Sequence, residues 1–293
     1  MAPVTALFDP LAGSHATVAP GTLGRLATRA LHDEATLTPK PGLVDMRGGG
    51  PHDDMDVSTL LSSADALTVP IARCADAAVC LPLGRELRAE IGAIGRTGEQ
   101  RMLHATGGVN THRGALWVLG LLAAGLAATG TAEGAAVFTA RLAGIEDPAL
   151  PSRAPSHGAQ ARLRYGAAGA SGEARAGFPH TMHVALPALR AARAAGHGEH
   201  TARTNALLAS MARLEDTCLL HRAGPEGLRV VRQRAAAILN AGGSGTVRGG
   251  ILLDELDRIS RRLRLSAGGS GDVLAAAVFV DSVSAMPRPD GKE

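Results

Sequence analysis

Along most of this chain apolar residues return every three or four positions, the spacing that gives a helix one apolar stripe. From Thr22 onward, segments rich in Ala, Leu, Arg and Glu alternate with short Gly and Pro interruptions. The pattern predicts helices near 22–37, 56–68, 70–79, 84–104, 112–128, 133–143, 159–165, 181–195, 200–221, 226–240, 250–263 and 271–284. Sustained two-residue alternation is missing and β-branched runs are short, so no sheet is expected. The fold class that follows is all-α: one compact multi-helix domain over residues 22–284, with Gly/Pro-rich loops at its active site. Residues 1–21 read as a flexible N-terminal arm and 285–293 as a frayed tail.

Two stretches stand out from this pattern. The apolar run 114–130 (GALWVLGLLAAGLAATG) is at the short limit for a membrane span and full of Gly and Ala, so it predicts a buried core helix. The stretch 144–180, with Pro148, Pro151, Pro155 and Pro179, is the least regular. A long irregular segment inside a helical domain predicts a loop covering a site rather than a linker.

Composition narrows the class. With 45% hydrophobic and 19% charged residues among 293, the chain can build a substantial core. Aromatics are only 2%, with one Trp, too few for a protein that stacks on nucleic-acid bases. The net charge of +3 is spread out, which suits small anionic ligands and argues against DNA. Cys74, Cys80 and Cys218 lack metal-ligand spacing, and no secretory signal is visible, so reduced thiols and a cytoplasmic location are expected.

Several residues interrupt their local pattern. Glu34 falls on the apolar stripe of the first helix, at i+4 from Ala30 and i+7 from Ala27. A buried carboxylate there needs a partner or a task, although a position at the helix end also lets it reach solvent. In TPKPGLVD, Lys40 stands between two prolines, a stiff mount for one cation against a phosphate or simply a helix stop. GGGPHDDMD offers Asp54 among oxygen ligands suited to Mg²⁺, with the competing role of helix caps. In ATGGVNTHRG, Asn110, Thr111 and Arg113 form a helix-start anion site, and His112 is a candidate proton donor or a core histidine. Within LEDTCLLHR, Asp216 reads as a helical acid among apolar neighbours, balanced by Arg222 or by a divalent ion. Finally, SAGGSGDVLA runs a loop of Gly268, Gly269 and Ser270 into a helix beginning near Asp272. Such amides cradle phosphate, but a capped helix start explains the segment nearly as well.

These segments, together with GASGEARAGFP, occur in the order and spacing of the triphosphoribosyl-dephospho-CoA synthase family, which the chain resembles over about residues 22–284. RMLHATGGVNTHRGALWVLGLL and LLHRAGPEGL look closest to its malonate decarboxylase branch, as against citrate lyase. The chain departs from the family pattern at Ser171 (Arg), Cys218 (Asn), Ala223 (Gly), Ala267 (Pro) and Gly271 (Ala). The resemblance implies a transferase that moves the 5-triphosphoribosyl group of ATP to the 2′-hydroxyl of 3′-dephospho-CoA and releases adenine. Inversion at the anomeric carbon suggests one displacement with a carboxylate base. It further implies Glu34 or Glu173 as base or oxocarbenium stabiliser, with His112 also catalytic. Mg²⁺ would fall to Asp54, Asp216 and Asp272, and phosphate contacts to Lys40, Asn110, Thr111, Arg113, Arg222 and Gly268–Ser270. The expected partners are small-molecule nucleotides and a phosphoribosyl-dephospho-CoA transferase that loads an acyl carrier protein. No nucleic acid or membrane is expected, and a homodimer is one assembly it allows. A nucleotide N-glycosidic hydrolase and a non-catalytic CoA-binding accessory subunit are the rival readings.

Overall fold

The computed structural model describes residues 18–149 and 157–287. The expected arm through residue 17, the tail from 288, and Pro151 and Pro155 lie outside those residues. Helices are the only extended regular elements among the described residues, with one isolated bridge between Asp45 and Gly48 in place of any strand.

The first helix, α1 (Pro20–Ala35), starts on a proline whose missing N–H costs nothing at that position. It buries Leu23, Ala27, Ala30, Leu31 and Glu34 on one stripe. It crosses α2 (Val57–Cys80) closely at Gly24, where a Cβ would lie 2.7 Å from the Thr68 carbonyl oxygen. Asp56 caps α2 by accepting from Thr59 N, and Thr59 reciprocates. The sequence predicts two helices broken before Pro70. They form one, because the apolar positions on both sides of Pro70 are buried against neighbouring helices, and packing outweighs the missing hydrogen bond.

Next come α3 (Arg85–Ala105), α4 (Arg113–Thr129) and α5 (Ala132–Gly144). Almost all of α4 is buried, as the Gly/Ala-rich run predicts. No single described helix is long and apolar enough to cross a membrane; α4 and α5 meet that test only as a pair bent by 118°. The irregular region contains α6 (His157–Tyr165) and α7 (Gly169–Arg175), the latter too short to show a period. A wide π-helical turn, Thr181–Ala185, leads into α8 (Leu186–Ala194).

The expected helix 200–221 is really two. α9 (Glu199–Arg213) stops, the chain extends through Leu214, and α10 (Thr217–Asn240) starts with Asp216 as its cap. A short acidic side chain that can bond nearby N–H groups competes with helix continuation, and here it wins. α10 then bends at Gly224, which has φ 64° and ψ −167° and is followed by Pro225. α11 (Val247–Leu263) and α12 (Gly268–Ser284) complete the fold. α12 is buried and packs on α1, α4 and α9, so the first and last helices share a core.

The loop after α1 is anchored at several points. Gly42 takes φ 69°, and a Cβ there would come within 3.0 Å of Leu265 O. The Gly42 carbonyl accepts from Ala267 N at 3.2 Å. Fully buried Asp45 accepts from Lys40 N at 3.0 Å and pairs with Arg47, which reaches Asp257 of α11 at 3.1 Å. Burial alone would raise the Asp45 pKa, but the hydrogen bonds from Arg47 and from Lys40 N bring it below the usual carboxylate value. This anchoring fixes Lys40 beneath the C-terminus of α1.

Candidate functional site

A cavity of about 1300 Å³ opens between α1, α3, α4, α7, α10 and α12. That volume is above the range of ordinary single-ligand pockets and suits two nucleotide-sized molecules. Every sequence-predicted site residue except Ser270 lines it.

The floor is acidic. Glu34 from α1, Asp272 from α12 and Asp216 at the head of α10 face one another, and glycines make room for them. A Cβ at Gly114 would overlap Asp272 Oδ2, one at Gly271 would lie 3.0 Å from Glu34 Oε1, and one at Gly269 would lie 3.1 Å from Asp216 Oδ1. Burial first, then the Glu34 and Asp216 carboxylates, push the Asp272 carboxyl well above the usual range; only the Ala115 backbone bond opposes this.

The rest of the floor corrects several expectations. Lys40 does not present a free ammonium: its Nζ donates to Glu34 Oε1 and to Glu34 O, both at 2.7 Å, and the residue is 1% exposed. It follows the end of α1, where a lysine folds back onto the last carbonyls and the one nearby acid. Asp216 is not an open metal ligand. Its carboxylate accepts from Cys218 N (2.9 Å), Gly269 N (3.3 Å), Ser270 N (2.8 Å) and Ser270 Oγ (3.0 Å). Those four bonds tie the start of α10 to the start of α12. They also fix Ser270, fully buried, away from any phosphate, while Gly268 and Gly269 do face the cavity. Burial still raises the Asp216 pKa against these bonds.

Asp54 is exposed at the rim, 3.6 Å from His52 Nδ1. Among the described residues no group of three or more His, Cys, Asp or Glu is arranged to hold a metal ion. The expected set Asp54–Asp216–Asp272 therefore does not gather around one ion: one member stands in solvent and another has its lone pairs occupied.

His112 is buried, with Nδ1 2.8 Å from Ser63 Oγ, which also accepts from Thr111 Oγ1 at 2.6 Å. Burial pushes its pKa down to about 4, with Lys40 and His32 adding to the shift against Glu34. At neutral pH it is an uncharged imidazole, buried as a core histidine would be. Asn110 lies exposed at the mouth. Arg113 Nη2 pairs with Glu99, and Arg222 Nη2 lies 3.1 Å from His52 Nδ1, whose Nε2 meets Ser266 Oγ at 2.9 Å.

Glu173 on α7 accepts from His180 Nδ1 at 2.7 Å and from His180 N at 3.2 Å. The hydrogen bond to that carboxylate raises the His180 pKa above the usual imidazole value, against the effect of burial. His180 escaped the sequence reading because its only signal is spatial.

The cavity lining is also strongly basic, and apart from Arg113 the sequence reading missed this. Arg88 and Arg96 of α3, Arg113 of α4, Arg162 of α6 and Arg175 of α7 all line the cavity. The signal for Arg88 was available: it is buried between Leu87 and Ile91 on the face of α3, which is the same anomaly that marks Glu34.

A large cavity in a helical shell, lined by both buried carboxylates and guanidiniums, is an enzyme site for anionic substrates with a reacting centre to be charged. Comparison with known proteins narrows that class. The family model for CitG, ATP:dephospho-CoA triphosphoribosyl transferase, matches residues 20–289. The chain is 51% identical over 265 residues to a Pseudomonas fluorescens (strain Pf-5) protein, covering 89% of this chain and 91% of that one. It is also 51% identical to an Azotobacter vinelandii protein, with the same coverage. A Pseudomonas putida protein is 48% identical over 271 residues, 90% of this chain and 95% of that one. All three carry the name "Probable 2-(5''-triphosphoribosyl)-3'-dephosphocoenzyme-A synthase". No solved structure matches the chain. The chain belongs to the ATP:dephospho-CoA triphosphoribosyl transferase family.

Proposed function

We propose that the protein transfers the 5-triphosphoribosyl group of ATP to the 2′-hydroxyl of 3′-dephospho-CoA and releases adenine. The observation that carries this reading is the Glu34–Lys40 pair facing Asp272 across the cavity floor. In the reaction the bond from the ribose anomeric carbon to adenine breaks and a bond to the 2′-oxygen forms. The hydroxyl proton passes to a base, and the departing adenine takes up a proton. Lys40 Nζ holds the Glu34 side chain in place at 2.7 Å, and a carboxylate so positioned in an enclosed site suits both a base and the partner of an oxocarbenium-like centre. Glu173, oriented by His180, is the other carboxylate with a free approach to the cavity. Inversion through one displacement remains the expected course.

Mg²⁺ fits the residues present, though not as a three-acid site. Mg²⁺ at nucleotide sites commonly takes one or two carboxylates plus substrate oxygens and water. Asp272, with Glu34 beside it, supplies that number, and the space left by Gly114 and Gly271 surrounds them. When bound, the ion would set a positive charge beside the floor carboxylates. Gly268 and Gly269 offer backbone close to the same point.

The finer assignments follow the sequence resemblance: the malonate decarboxylase branch, a cytoplasmic location, a homodimer, and hand-over of the product to a phosphoribosyl-dephospho-CoA transferase acting on an acyl carrier protein. The test is adenine release from ATP in the presence and absence of 3′-dephospho-CoA. Release that requires dephospho-CoA supports the transferase. Release into water without it would make the protein a hydrolase, and no release at all would leave a binding protein.

A further inference from the structure

We propose that the arginine wall at the α3–α7 end of the cavity is a polyphosphate subsite that receives the triphosphate of the nucleoside triphosphate substrate. The proposal rests on the transferase reading for the identity of the anion, but not for the existence of the subsite.

The wall is built rather than incidental. Arg88, Gly92 and Arg96 succeed one another at i, i+4 and i+8 on one face of α3. Asp147 docks into the gap that Gly92 leaves, since a Cβ there would overlap its carboxylate. Its Oδ2 then takes Arg96 Nη1 at 2.8 Å and Arg88 Nη1 at 3.4 Å. Arg88 is 5% exposed, donates Nε to Ile145 O at 3.2 Å, and lies over the Trp117 ring, 5.4 Å from its centroid. The Trp117 indole in turn donates to Ala170 O of α7 at 3.3 Å. Two guanidiniums that line the cavity are thus held in fixed planes by a single carboxylate, which leaves one positive charge in excess.

Charge around this end favours an anion. Arg162 and Arg175 face the same cavity with no ion pair among the described residues, and both are exposed. The other carboxylates nearby are committed or peripheral: Glu99 pairs with Arg113, Glu173 with His180, and Glu146 is exposed. The floor has the opposite balance, with acids around Lys40, which is already paired. A triphosphate laid toward the floor would meet carboxylates, whereas one laid along α3 meets a preorganised fork of two guanidiniums, with Arg175 of α7 lining the same cavity. This orientation sends the ribose toward Glu34 and Asp272.

The chain contains one tryptophan, and it sits in this wall, so its fluorescence reports on the subsite without a label. Inorganic tripolyphosphate, added without either nucleotide, should change Trp117 emission saturably. Arg96→Gln and Arg175→Gln should each weaken that binding by about tenfold, the scale of one charge-assisted contact. Arg175 is exposed and Arg96 leaves Arg88 on Asp147, so circular dichroism should report an intact fold for both. ATP should displace tripolyphosphate and 3′-dephospho-CoA should not. Failure of tripolyphosphate to bind, wild-type affinity in both variants, or displacement by dephospho-CoA alone would each overturn the proposal. A weakening by Arg222→Gln in place of Arg96→Gln would do the same. Because no adenine is released in this titration, its result stands apart from the test of the transferase reading.

Discussion

The two ends of the cavity hold charge by opposite means. At the floor nearly every charge is matched inside the protein: Lys40 with Glu34, Asp216 with four donors. Only Asp272 is left short of partners, and its carboxyl is driven toward the neutral form. At the α3 wall guanidiniums outnumber their carboxylate partners, so the imbalance is positive and open. A self-matched region keeps its geometry whether or not ligand is present. An unmatched region waits for charge from outside. Under the proposed reading, the floor serves the chemistry and the wall the capture of the anion.

The largest effect expected is on the floor. Glu34→Gln keeps the shape and removes the charge, and dephospho-CoA-dependent adenine release should fall by about two to four orders of magnitude. The ion pair with Lys40 adds a structural share, so thermal unfolding should show a loss as well, softened because Lys40 retains its bond to Glu34 O. A destabilised variant with normal turnover would remove Glu34 from the chemistry and turn attention to Glu173.

Next in size is an acid sensitivity set by His112. Its folded pKa is about 4 against an ordinary 6.5, so between those values the unfolded chain binds the extra proton. Stability therefore rises with pH across that window and is lost as pH falls through it, by about 3 kcal/mol in all. Denaturant unfolding of wild type and His112→Asn at pH 4.5 and 7 measures this. Equal pH slopes for the two proteins would mean that His112 is not held neutral.

A smaller loss tests the self-matched side directly. Asp216→Asn replaces an acceptor of four bonds with a group that can accept only part of them, for a cost of about 1–3 kcal/mol. Calorimetric melting checks it, and an unchanged melting point would break the picture of Asp216 as a clamp. The smallest effect belongs to the wall: Arg175→Gln, on an exposed side chain, should change stability by less than about 0.5 kcal/mol. A clear loss in the same calorimetric scan would mean that the wall, too, serves the fold.

The all-α class was legible because a 3.6-residue period without alternation leaves little else. Boundaries failed where a local signal met tertiary structure: Pro70 did not break α2, and Asp216 ended a period that apolar neighbours would have continued. Glu34 was legible as an acid on an apolar stripe, yet its partner was not, since Lys40 reads locally as a free cation between prolines. Arg96, Arg162 and Arg175 lie on faces that look in sequence like any solvated helix surface. Only the fold turns those faces toward a shared cavity.

The packing of α12 against α1 has a consequence for biosynthesis. Asp272 and the amides that satisfy Asp216 arrive on the last helix, and the same helix covers the apolar faces of α1 and α4. A nascent chain thus carries those faces uncovered for most of its translation, and contacts of such long sequence separation form slowly. The acidic floor is complete only once α12 has cleared the ribosome, so a shortened translation product ending before Gly268 would lack Asp272 and the amides that hold Asp216.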